Sequence, residues 1–269
     1  MRAPVFQPAW PDDVKALYRH DIQEMWDRSV APNVWRMVQE NLRRYRRAAG
    51  AARLRILDVG CAQATLALLL AEDGHEVTAL DIRPQFLDYA RSRHEKGVVS
   101  FVAANVMEYE TGVRFDLIFA NQIAEHVVYP ERLLARLAGW LAPGGRLVVT
   151  TPNGAYLKSS LPRLADLGDR TALEDRQFFA DGDGHFFAFR ADELRSLMAG
   201  AGLTRVRVFP FDTPWITGHL GVRHVQFLFP AVLLRAFEWA TLRLPNLGGR
   251  LAFQLWAEGG DAGSQRCSR

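Results

Sequence analysis

Apolar and polar positions follow two periods along this chain. Short continuous apolar runs, "LRILDV", "HEVTALD", "VVSFVAA", "FDLIFAN" and "RLVVTTPN", predict strands buried on both faces. Between them, "ATLALLLAEDG", "RPQFLDYARSRHEKG" and "PERLLARLAGWLAPGG" have helical spacing. The alternation predicts an α/β fold, a doubly wound and mostly parallel sheet with right-handed crossovers. Further on, "RADELRSLMAGAG" reads as a helix, "TRVRVFPF" as a strand and "RLAFQLWA" as the last strand. Residues 12–49 read as helical. Val34, Val38, Leu42 and Tyr45 share one face there, opposite a stripe of Arg36, Arg43 and Arg47. That stripe is expected to be a solvated face rather than a phosphate or lipid surface, and Asn33 to cap the helix. The pattern weakens after Asn153. The expected organisation is an N-terminal helical cap over 1–49, a main domain over 50–257 and a disordered tail over 258–269. Insertions are expected at 154–189 and 212–249, after strands 5 and 6.

Composition narrows the class. The 269 residues suffice for one large α/β domain with insertions. The formal charge of +3 does not by itself imply nucleic acid. Lys15, Lys96 and Lys158 are the only lysines among 33 basic residues, a skew expected from genomic base composition. Cys61 and Cys267 offer neither a disulfide framework nor a metal spacing. The N-terminus has no apolar run of the signal-peptide kind, and charges interrupt the apolar stretch 225–244. The chain therefore reads as soluble and cytoplasmic.

The stretch "RILDVGCAQATLALLLAEDGHEVTALD" carries the candidate chemistry. A strand, a tight loop, a helix and a second strand ending in Asp81 open a nucleotide-type cofactor site. A dinucleotide needs G-x-G-x-x-G where its pyrophosphate presses on the loop, and here those positions are Gly60, Ala62 and Thr65. S-adenosylmethionine has no phosphate and asks only for a sharp turn and small side chains. Gly60, Ala62 and Ala64 meet that, provided that both alanines keep φ below zero. Asp81 is expected to accept the ribose hydroxyls, the alternative being a cap for the helix near Pro84.

The segments "ILDVGCA", "VTALD", "FVAANV", "FDLIFANQIAEHVVYPERLL", "LAPGGRLVVTTPN" and "GHFFAFRADELRSLMAGAGL" together resemble the class I S-adenosylmethionine-dependent methyltransferases. The likeness is to the group holding the ubiquinone-biosynthesis, sugar and natural-product O-methyltransferases. It covers roughly residues 50–211 and implies a seven-stranded, Rossmann-like sheet with the last strand antiparallel. It also implies S-adenosylmethionine as cofactor. Asp58, Gly60, Cys61 and Ala62 would surround the methionine end, Asp81 the ribose, and Ile82, Asn105 and Val106 the adenine. Asn121 and Gln122 would lie beneath the sulfonium. Ala62, Ala64 and Asn105 depart from the family pattern, which has glycine and aspartate at these places.

His126, in Glu125-His126, is the candidate base for a hydroxyl acceptor; the alternative is that it only buttresses its loop. His185 matches a histidine common in this group and either faces the acceptor or fixes its insertion. Asp181 and Asp183 are expected in an exposed turn, and no metal is expected. Asn153 is expected to reach the acceptor or turn the chain. Trp215, His219, His224, Phe227, Phe229, Phe237 and Trp239 are expected as core, or as an apolar lid or dimer surface; membrane contact is the less favoured reading. The sequence thus predicts methyl transfer to a small-molecule hydroxyl and no nucleic-acid partner. Small-molecule N-methylation and a non-catalytic ligand-binding protein are the alternatives.

Overall fold

A computed structural model describes residues 1–176 and 184–261. The N-terminal region, expected as one helical stretch, is divided. Helix α1 (Asp12–Asp21) runs into a π-helical turn (Ile22–Trp26), and α2 (Pro32–Ala49) starts after a break. Pro32 causes the break, because its ring fixes φ and disfavours helix at the preceding residue. Asn33 is therefore not the cap; Ala31 takes that place, and the Asn33 amide donates to the Thr217 carbonyl at 3.3 Å.

Then come β1 (Arg55–Val59), α3 (Thr65–Glu72), β2 (Glu76–Asp81), α4 (Pro84–Arg93) and β3 (Val98–Ala103). They are followed by β4 (Phe115–Asn121), α5 (Pro130–Gly139), β5 (Leu141–Pro152), α6 (Ala191–Gly200) and β6 (Thr204–Phe211). The chain ends with α7 (Pro214–Thr217), α8 (Ala231–Leu242), α9 (Gly248–Leu251) and β7 (Gln254–Gly260). The seven strands form one sheet in the order β3-β2-β1-β4-β5-β7-β6. The first five strands are parallel, and β7 inserts antiparallel between β5 and β6. Winding reverses between β1 and β4, so a crevice opens beyond the carboxyl ends of those strands.

Both faces of the sheet are covered, which is why its strands read as unbroken apolar runs. On β1, Leu57 and Val59 enter one core cluster, with Ile118, Leu133 and Leu147. Ile56, just before them, enters the other, with Leu70, Leu117 and Phe119. Helix α2 packs Leu42, Tyr45 and Ala49 into that second cluster. Tyr45 stacks on Trp256 of β7, centroids 5.4 Å apart.

Three expectations change here. Arg36 is not part of a solvated stripe, since it is half-buried and donates to the Gln226 carbonyl at 3.1 Å. Core packing fails for Phe227 and Trp239, which are 70% and 59% exposed. The helix carrying Trp239 is anchored by the fully buried Leu234 together with the charges of Arg235 and Glu238. Glu258, Gly259 and Gly260, assigned above to the tail, pair with β5 and β6. Asp181, Asp183 and Cys267 lie outside the described residues. Among the described residues, no helix is long and apolar enough to cross a membrane.

Candidate active site

A cavity of about 780 Å³ occupies the crevice at the switch point. Its walls include Asp58, Gly60, Cys61, Ala62, Asp81, Ile82, Asn105, Val106, Asn121, Gln122 and His126, so ten of ten cofactor candidates and one of two base candidates meet there. The loop after β1 makes one wall. A Cβ on Gly60 would lie 2.9 Å from the Ile123 side chain, and its φ is +66°, so glycine is favoured there.

The two alanines contradict the condition set on them. Ala62 has φ 46° and Ala64 φ 54°, both left-handed. The loop thus keeps the path that glycines normally permit, and two alanines bear the strain. Several contacts over-determine that path. The Ala62 amide donates to Asp81 Oδ2 at 2.8 Å. Arg93, fully buried, donates to the Gln63 carbonyl at 2.8 Å and to the Thr65 hydroxyl at 3.1 Å. Its guanidinium also lies 2.8 Å from the carboxylate of Asp21, equally buried. Arg93, Asp21 and Glu24, whose carboxylate accepts from the Gln63 amide at 2.9 Å, form a brace that sequence reasoning missed. The signal was faint: a charged residue on the last turn of an otherwise core-facing helix.

Asp81 is 3% exposed at the end of β2, with Oδ1 accepting the Arg83 amide at 2.9 Å. It holds the turn into α4 but is not that helix's side-chain cap. Burial pushes the carboxyl of Asp58 up to about 7, opposed by an amide hydrogen bond from Ala67. Burial also raises the Cys61 thiol, reinforced by Asp58 and Asp81, so Cys61 stays a neutral wall residue. Asn105 folds into a turn, its oxygen accepting the Met107 amide at 3.0 Å and its nitrogen donating to Glu108 at 3.0 Å. One lone pair of that oxygen remains for a ligand.

On the opposite wall, Gln122 sits at φ 51° just past β4. With its amide turned to suit its neighbours, it donates to Glu125 Oε1 at 3.2 Å and accepts the Thr151 amide at 3.2 Å. Glu125 is fully buried and also accepts the Thr151 hydroxyl at 3.0 Å. Burial still raises its carboxyl to about 8. His126 follows it into the cavity wall, and His185 packs edge-on behind, ring centroids 4.7 Å apart. Ligand atoms of Glu125, His126 and His185 all lie within 4.8 Å of one another, a cluster that the sequence reading did not assemble.

Helix α2 completes the enclosure with Met37, Val38, Asn41, Leu42 and Tyr45. None of residues 212–249 lines the cavity, so the lid expected there is supplied by the N-terminal helices. Of the insertion after β5, Arg176, Gly184 and Phe186 reach the wall. Asn153 does not; its amide donates to the Gly249 and Ala252 carbonyls, each at 2.8 Å, and turns the chain.

Residues 15–208 match the family model of a methyltransferase domain. The chain belongs to that family. This methyltransferase is also 37% identical over 103 residues to the ubiquinone biosynthesis O-methyltransferase of Xylella fastidiosa. That match spans 37% of this chain and 42% of the relative, less than half of its length. A solved S-adenosylmethionine-dependent methyltransferase from Archaeoglobus fulgidus superposes with TM-score 0.59 at 15% identity, over 91% of this chain and 99% of that one. The N-methyltransferase NodS from Bradyrhizobium japonicum, solved with S-adenosyl-L-homocysteine, gives TM-score 0.52 at 16% identity, over 94% and 100%. Fold and family together make this a class I S-adenosylmethionine-dependent methyltransferase. The cavity suits that cofactor: it pairs a glycine turn with a strand-end carboxylate.

Proposed function

We propose that this methyltransferase methylates a hydroxyl group of a small-molecule acceptor such as a phenol, a sugar or a related metabolite. The observation that carries the reading is His126 on the cavity wall, backed by His185 and Glu125. The naming of relatives such as the Xylella protein as O-methyltransferases supports it.

Bound S-adenosylmethionine would supply a methyl group on a cationic sulfur, already a strong electrophile. Asp81 would hold the ribose, its carboxylate keeping lone pairs beyond the two amide bonds. Ile82 and Val106 would flank the adenine, with the free lone pair of Asn105 at its edge. Asp58, Gly60, Cys61 and Ala62 would curve round the methionine, and Asn121 and Gln122 would lie under the reacting centre. Helix α2 and the 184–186 strand-side segment exclude water and align the acceptor. His126 takes the acceptor's hydroxyl proton as oxygen attacks, and His185 stabilises the resulting charge distribution.

Methyl transfer from labelled S-adenosylmethionine to a panel of phenols, sugars and amines tests this. The expected result is transfer to a hydroxyl, with His126→Asn losing roughly 10²–10³-fold in kcat while still binding cofactor. Transfer to amines alone, or an unaltered rate in the variant, would overturn it.

A further inference from the structure

Helix α8 buries Leu234 completely and packs Phe237 against Trp215, centroids 4.9 Å apart, yet leaves a second apolar side exposed. Its inward side carries its mid-helix charges. Arg235 holds Glu40 of α2 with contacts of 2.7–3.0 Å. Glu238 pairs with Arg44 of α2 and accepts the Asp212 amide at 2.9 Å. Glu238 is 6% exposed. The outward side is apolar instead, with Val232 64% and Trp239 59% exposed. The preceding turn adds Phe227 and Leu228, 70% and 64% exposed. Leu234, Arg235 and Glu238 already hold the inward face, so Val232, Trp239, Phe227 and Leu228 form an apolar patch beyond what anchors the helix.

The charge on this surface has one sign. Glu238 is the only acidic residue between Asp212 and Glu258, and it is buried. Arg223, four residues before Phe227, and Arg243 are exposed. The Arg243 guanidinium lies 3.5 Å from the centroid of the Trp239 ring, an aromatic and a cation presented together. Apolar and aromatic side chains rimmed by arginine, without carboxylates, complement an anionic lipid surface. A two-fold contact with a second copy would bring two surfaces of the same positive sign together, so that occupant is disfavoured.

We infer that this face seats the protein peripherally on anionic membranes. The inference stands on α8 and its turn and does not depend on the proposed acceptor. Since α2 has the cavity on one side and α8 on the other, such seating would place the cavity close to the lipid surface.

Co-sedimentation of the full chain with phosphatidylcholine vesicles, and with vesicles containing phosphatidylglycerol as well, tests this. The expected result is pelleting with the anionic vesicles, weakened by salt. A Phe227→Ser/Trp239→Ser double variant and an Arg223→Glu/Arg243→Glu double variant should each lose about tenfold or more in partitioning. Both should keep the wild-type melting temperature and cofactor binding, because all four positions are exposed and outside the cavity. Absence of pelleting, or equal pelleting by wild type and both variants, would overturn the inference. So would a dimer in solution that the Phe227→Ser/Trp239→Ser variant dissolves, which would assign the face to a second copy.

Discussion

The imidazoles of His126 and His185 meet edge to face, centroids 4.7 Å apart, at the junction of the fourth strand and the insertion before α6. Residues 59 positions apart in sequence are thereby joined, His126 on the cavity wall and His185 against it. A second imidazole packed edge-on against the base fixes the orientation of its ring. His185→Asn is expected to lower kcat by about tenfold and leave cofactor affinity unchanged, a smaller loss than at His126. Steady-state kinetics with parallel calorimetric titration of the cofactor checks this split.

Glu125 makes stability depend on pH with an unusual sign. Burial raises its carboxyl from 4.5 to about 8, so over that window the folded chain binds more protons than the unfolded chain. Stability is then fullest below the unfolded value and falls as pH rises towards 8. Asp58 and Glu24, each raised to about 7 by burial, act in the same direction. The melting temperature is expected to fall between about pH 5 and pH 8, with a shallower slope in Glu125→Gln. Calorimetric scans of both proteins across that range measure it.

Arg93 should be the most sensitive position outside the cavity. It is fully buried, and its removal would strand Asp21 and free the carbonyl of Gln63. Breaking one side of such a pair typically costs about 3–5 kcal/mol. Arg93→Met is expected to lose that much in a denaturant titration and to bind cofactor more weakly, since the strained loop loses its brace.

The left-handed alanines make a graded prediction. Relieving αL strain gains about 1 kcal/mol, whereas a fully buried methyl group is worth about 0.8 kcal/mol. Ala62 is half-buried and Ala64 fully buried. Ala62→Gly is therefore expected to stabilise the protein slightly, and Ala64→Gly to leave it nearly unchanged, in the same titration.

The sheet was legible because strands buried on both faces, such as Ile56–Val59, announce themselves as apolar runs. The cofactor loop was legible in position but not in conformation. Nothing in the letters of Ala62 or Ala64 marks a positive φ; that follows from tertiary bonds to Asp81 and Arg93. His126 was readable from its place after a strand, but its approach to His185 was not, since it depends on how the insertion folds back. Phe227 and Trp239, expected as core, are exposed for a physical reason. The segment is apolar around much of helix α8, and the burial of Leu234 with the partners of Glu238 and Arg235 decides which side is turned inward.

The central claim is that a loop with a single glycine still forms an S-adenosylmethionine site. Isothermal titration of S-adenosylmethionine into the full chain, beside a reduced nicotinamide dinucleotide, tests it most directly. Saturable one-to-one binding of S-adenosylmethionine is expected, weakened about tenfold or more in Asp81→Asn, with no binding of the dinucleotide. Dinucleotide binding, or no S-adenosylmethionine binding at millimolar concentration, would contradict the claim.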